Sequence, residues 1–115
     1  METLTEPMPI MKRAPMRKVV IAFDVDGTLR NNTKGGMVAN ERIRTLLIIL
    51  ASFKNVNIIV WSGGGQLYAK QAVRELHLTQ YVKTAVAKGA IEVDIAVDDI
   101  QECDLGLVNL IVREK

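Results

Sequence analysis

The stretch "VVIAFDVDGTLR", Val19 to Arg30, decides the fold. Five apolar residues, Val19 to Phe23, rich in β-branched side chains, have the pattern of a strand buried on both faces. The run stops at Asp24, a second aspartate follows one residue later at Asp26, and Gly27 permits a sharp turn. A strand that ends on two acids and a glycine delivers chemistry to a sheet edge.

Working outward, "VNIIVW" (Val56 to Trp61) repeats the buried-strand pattern and runs into Ser62 and three glycines. Further strands are predicted at "VKTAVA" (Val82 to Ala87), "VDIAV" (Val93 to Val97) and "LGLVNLIV" (Leu105 to Val112). Between the first two strands lies a polar loop, "NNTKGG" (Asn31 to Gly36). Asn40 then caps a helix whose Ile43, Leu46, Leu47 and Leu50 share one face, ending near Lys54 or Asn55. A second helix carries Ala69, Ala72, Val73 and Leu76 on one face. Alternating strands and helices predict an α/β fold: a mainly parallel five-stranded sheet with helices on both faces, a Rossmann-like three-layer sandwich.

At 115 residues, with 49% hydrophobic and 24% charged residues, the chain has the composition of one soluble globular domain. Residues 1–16 hold all three prolines and four of five methionines without periodicity, and read as a mobile tail before a domain spanning 17–115. The net charge of +2 is carried by Lys12, Arg13, Arg17 and Lys18 against Glu2 and Glu6, so charge counting shows no broad basic face for nucleic acid. Cys103 is the only cysteine, which rules out an intrachain disulfide and suits a reducing compartment; its plain reading is a small apolar residue. The longest apolar run, "LLIIL" (Leu46 to Leu50), is far short of the ~20 residues of a membrane helix. The opening segment lacks the apolar core of a secretory signal, and a cytoplasmic location is expected.

In an open parallel sheet, ligands bind at the carboxyl ends of the strands. The residues that follow the predicted strands there are Asp24 and Asp26, Ser62 with its glycines, and Asp98 and Asp99. Four carboxylates on one edge repel unless protons or a cation compensate them, and an all-oxygen donor set favours Mg²⁺. Gly63, Gly64 and Gly65 at a helix start let backbone N–H groups approach a phosphate. Each aspartate alone also fits a helix or turn cap, but two pairs terminating two apolar strands do not.

"DVDGTL" (Asp24 to Leu29), "VWSGGG" (Val60 to Gly65), Lys88 and "VDD" (Val97 to Asp99) resemble, in order and placement, the four motifs of the haloacid dehalogenase-like phosphatases. That resemblance implies a Mg²⁺-dependent phosphomonoester hydrolase working through an aspartyl-phosphate. Asp24 matches the nucleophile and Asp26 the general acid, whose backbone carbonyl also helps hold the metal. Ser62 and Lys88 match the groups that bind the transferred phosphoryl, with Gly27, Thr28, Gly63 and Gly64 as further phosphate contacts. Asp98 and Asp99 match the acidic metal motif, so that Asp24, Asp26, Asp98 and Asp99 form the expected metal set, with Asp99 favoured as a direct ligand. Lys83 is the alternative to Lys88, which is preferred because it follows the third strand beside Gly89.

Three other residues stand out. His77 lacks a partner at metal or triad spacing and reads as a helix-end surface residue, and Trp61 reads as core behind the site. Arg30 faces either substrate or solvent. There is no room for either cap insertion of the family, so the site is expected to be open and its substrate either a small metabolite or a nucleic-acid end. The resemblance of "DVDGTL", "SGG" and "DD" to the phosphatase half of polynucleotide kinase/phosphatase makes a 3′-end phosphatase the specific alternative. A receiver-like signalling domain, or a phosphate-binding protein without catalysis, is the alternative from another class. The order of motifs disfavours a receiver, because a second acidic pair ends the fourth strand. No membrane partner is expected; a homo-oligomer is left open.

Overall fold

Val19–Asp24 forms β1, and four more strands align parallel around it in a computed structural model that describes residues 16–113. The predicted tail, residues 1–16, lies outside the described residues except for Met16, which is exposed. After β1 come β2 (Arg30–Thr33), β3 (Gly36–Ala39), α1 (Glu41–Ala51), β4 (Val56–Ser62), α2 (Gln66–Glu75), β5 (Thr84–Ala87), β6 (Val93–Asp98) and β7 (Gly106–Ile111). The main sheet has the order β5-β4-β1-β6-β7, all parallel. β1 therefore sits at the centre, with Phe23 between Val60 and Val97.

Successive β1 side chains alternate between two apolar clusters. Ile21 and Phe23 pack with Ile58, Val60 and Val97 beneath Leu47 of α1 and Ala69, Ala72 and Val73 of α2. Ala22 packs on the opposite face with Ile59, Trp61, Val93 and Ala96, and Cys103 lies against them. Trp61 is thus core, and Cys103 is a half-buried apolar filler.

The expectation of helices on both faces is not met: both helices cover one face. The strand order explains this. From β1 to β4 and from β4 to β5 the chain steps in the same direction, and right-handed crossovers place both intervening helices on the same side. The steps from β5 to β6 and from β6 to β7 run the other way, and there the connections 88–92 and 99–105 are too short to hold helices.

The polar stretch Asn31 to Gly36 is not a loop throughout. It forms most of an antiparallel hairpin in which Arg30 pairs with Ala39 and Thr33 with Gly36. Asn40 caps α1 as expected, accepting from the Ile43 N–H, but the helix ends at Ala51, earlier than predicted. α2 ends on His77 at φ 57°, where Leu78 donates its N–H to Val73 and His77 donates to Arg74, the paired bonds of a Schellman terminus. His77 is exposed, and its left-handed backbone is its structural role. Arg44 of α1 donates to the Leu76 carbonyl at 2.7 Å, tying α1 to the end of α2.

Candidate active site

The backbone after β1 turns tightly: Leu29 and Arg30 both donate N–H bonds to the Val25 carbonyl, and Gly27 takes φ 85°. Only glycine fits there, because a Cβ at Gly27 would run into the Asp99 carboxylate. The turn buries Val25 and Leu29, which anchor it to the core, and holds Asp24 at the carboxyl edge of the central strand.

Asp24, Asp98 and Asp99 converge there, one carboxylate oxygen from each lying within 4.8 Å of the others. Asp24 and Asp98 are buried and Asp99 is exposed. Lys88 inserts its ammonium among them, 2.5 Å from Asp98 and 3.5 Å from Asp24. Lys88 owes this position to β5, which ends at Ala87, and to its own N–H, which donates to the Ser62 carbonyl at 2.9 Å. Lys83 is exposed one residue before β5, so of the two lysines Lys88 is the one the structure brings to the carboxylates.

Three carboxylates against one ammonium leave the cluster short of positive charge. Burial, reinforced by the Asp98 charge and opposed by Lys88, pushes the Asp24 carboxyl up to about 7. Burial alone would lower the Lys88 ammonium, but its hydrogen bond to Asp98 and the charges of Asp24 and Asp98 raise it above its ordinary value. Asp98 is already committed: one oxygen accepts the Ile100 N–H at 2.9 Å and the other meets Lys88. Asp24 and Asp99 hold the more available oxygens for a cation.

Ser62 ends β4 beside this cluster, with its Oγ accepting the Gly64 N–H at 2.9 Å. Gly63 and Gly64 lead into α2, whose first turn has no side-chain cap, so its leading N–H groups remain open to an anion. A cavity of about 230 Å³ adjoins the carboxylates, lined by Gly27, Asn31, Asn40, Asp99, Val112 and Arg113.

Three residues make contacts that their sequence reading did not include. Thr28 is fully buried and donates its hydroxyl to Asp24 at 3.2 Å, so it steadies that carboxylate and is closed to a phosphate. Arg30 faces neither substrate nor solvent: it is buried, donates to Glu75 at 2.8 Å, and lies over the Tyr68 ring at 5.3 Å. Asp26, expected in the metal set through its backbone carbonyl, keeps its carboxylate outside the Asp24, Asp98 and Asp99 group, where it accepts from the Tyr68 hydroxyl. Tyr68 and Glu75 are the site residues that sequence reading missed. The available signal was the position of Tyr68 three residues after Gly65, one turn into the helix that follows the glycines.

No family model, curated protein or solved structure matches the chain. No helix among the described residues is long and apolar enough to cross a membrane.

Proposed function

We propose that the chain is a Mg²⁺-dependent phosphomonoester hydrolase of the haloacid dehalogenase-like type, a Rossmann-like domain without a cap, acting through an aspartyl-phosphate on Asp24. One observation carries this reading: Asp24, buried at the end of the central strand, shares a 4.8 Å cluster with Asp98 and Asp99 and has an ammonium beside it. An acidic cluster with one cation fits a hard divalent metal, and all-carboxylate donors suit Mg²⁺. Asp24 and Asp99 would hold it, with Asp98 behind them; when bound it supplies positive charge to the phosphate oxygens and keeps Asp24 ionised.

In the first step an Asp24 oxygen attacks phosphorus, the bond to the leaving oxygen breaks, and Asp26 gives that oxygen its proton. In the second, water attacks phosphorus, Asp26 takes a proton from it, and the bond to Asp24 breaks to release inorganic phosphate. Lys88, the Ser62 hydroxyl that the Gly64 N–H holds, and the N–H of Gly63 would neutralise the phosphoryl oxygens.

Among the described residues, the segment between β1 and α1 holds only the short, exposed hairpin β2–β3, which supports bulky substrates and keeps the 3′-phosphorylated nucleic-acid end as the specific alternative to a small metabolite. The test is phosphate release from a panel of nucleotides, sugar phosphates and 3′-phosphorylated oligonucleotides with Mg²⁺ and with excess EDTA. Release that stops in EDTA and returns with Mg²⁺ supports the reading; release unchanged by EDTA overturns it.

A further inference from the structure

The two edges of the main sheet are built differently. β5 spans only Thr84–Ala87, packs against α2 through buried Ala85, and is preceded by the exposed Lys83, features that blunt an edge. β7 is six residues long, "GLVNLI", with no charge and no proline. Its Leu107 is 87% exposed, Val108 and Leu110 are each 47% exposed, and Ile100 and Leu105 beside it are exposed too. Val108 and Leu110 lie on the α1 face, where Leu110 lines a cleft with Ile43 and Leu46, whereas Leu107 lies on the opposite face. An additional layer on one side of the sheet would leave the other side wet. Continuation of the sheet sets new neighbours beside the side chains of both faces.

The backbone of β7 is also available. Val112 donates its N–H to Asp98 on β6, so by alternation Leu107, Asn109 and Ile111 turn their peptide groups outward. The Asn109 side chain bonds both the N–H and the carbonyl of Gly106, at 2.9 and 2.8 Å, and among the described residues no backbone group pairs with the outward side of Leu107, Asn109 and Ile111.

We propose that β7 pairs antiparallel with β7 of a second copy, about a two-fold axis at Asn109, to give one continuous sheet. This inference is independent of the enzymatic reading. In that register Leu107 lies opposite the partner's Ile111, and Val108 opposite the partner's Leu110, so apolar meets apolar on both faces. Pairing over residues 107–111 covers the outward peptide groups and part of the exposed Leu107, Val108 and Leu110 side chains in both copies, an interface at the small, weakly associating end of the specific range. A two-fold contact uses the same strip twice and closes, leaving only the short β5 edge of each copy outside.

The experiment is sedimentation velocity on the full chain at tens of micromolar, beside Leu107→Lys and Val108→Lys. These exposed positions tolerate a lysine in the folded monomer, and a circular dichroism spectrum with a cooperative melt verifies each variant. The expected result is a species of twice the chain mass for the parent and the single chain mass for at least one folded variant. A monomeric parent overturns the proposal, and so does a dimer that persists in both folded variants.

Discussion

The Tyr68 hydroxyl donates to the Asp26 carboxylate, 2.8 and 2.9 Å from its two oxygens, across 42 residues of sequence. Arg30 lies over the Tyr68 ring and 3.6 Å from the same carboxylate, and is itself held by Glu75. The proposed general acid is thereby held from α2, the helix that follows Gly63, Gly64 and Gly65. If Asp26 protonates the leaving oxygen, the loss of this bond matters most where that oxygen is a poor leaving group. Tyr68→Phe is expected to lower kcat on an alkyl phosphate by roughly tenfold, within the range of acid catalysis, and to leave kcat on a nitrophenyl phosphate nearly unchanged. Steady-state kinetics on both substrates check it; equal losses would mean that Tyr68 supports only the fold.

The raised Asp24 carboxyl makes metal-free stability depend on pH. Its ordinary value is 3.8 and burial brings it to about 7, so between these values the folded state holds a proton that the unfolded state has lost. Folding stability from this group is therefore full below about pH 4 and falls as pH rises toward 7. Chemical denaturation in EDTA is expected to show that decline between pH 4 and 7, with Asp24→Asn lacking it and more stable than the parent at pH 8. A parent and variant with parallel profiles would contradict the burial account.

Gly27→Ala should be costly for two separate reasons. The residue has φ 85°, and the added Cβ collides with Asp99. The strained backbone alone is worth about 1–3 kcal/mol, and displacement of Asp99 should also weaken the stabilisation given by Mg²⁺. Melting curves with and without Mg²⁺ measure both effects; a variant as stable and as metal-responsive as the parent would show that the turn relaxes freely.

His77→Gly probes the end of α2. The left-handed conformation at this exposed position suits glycine, so the substitution is expected to stabilise the protein by about 0.5–1 kcal/mol. Urea denaturation gives the difference, and a loss of stability would indicate that the imidazole makes a contact of its own.

How far the sequence was legible follows from what each element buries. β1, β4 and β6 were readable to within a residue because Ile21, Phe23, Ile58, Val60 and Val97 are core on a sheet covered on that face by helices. The hairpin β2–β3 was not, because "RNNT" and "GMVA" have almost no buried face and so show no apolar alternation. The single-sided helix layer was hidden for another reason: strand order is a tertiary property that local periodicity does not carry. Within the site, Asp24, Ser62, Lys88, Asp98 and Asp99 were legible because each follows a strand. The contacts of Asp26 with Tyr68 and of Arg30 with Glu75 were not, since they depend on how the first and last turns of α2 dock beside the β1 turn. The bond of the Thr28 hydroxyl to Asp24 was not legible either, because motif position does not tell which way a buried hydroxyl points.

The most direct measurement is phosphate release by the parent and by Asp24→Asn, side by side, with saturating Mg²⁺ and a 3′-phosphorylated oligonucleotide and a nitrophenyl phosphate as substrates. The account predicts steady turnover by the parent and none by the variant, whose fold, checked by its melting curve, is intact. Equal release by both proteins would contradict the assignment of Asp24 as the nucleophile and, with it, the reading of the site.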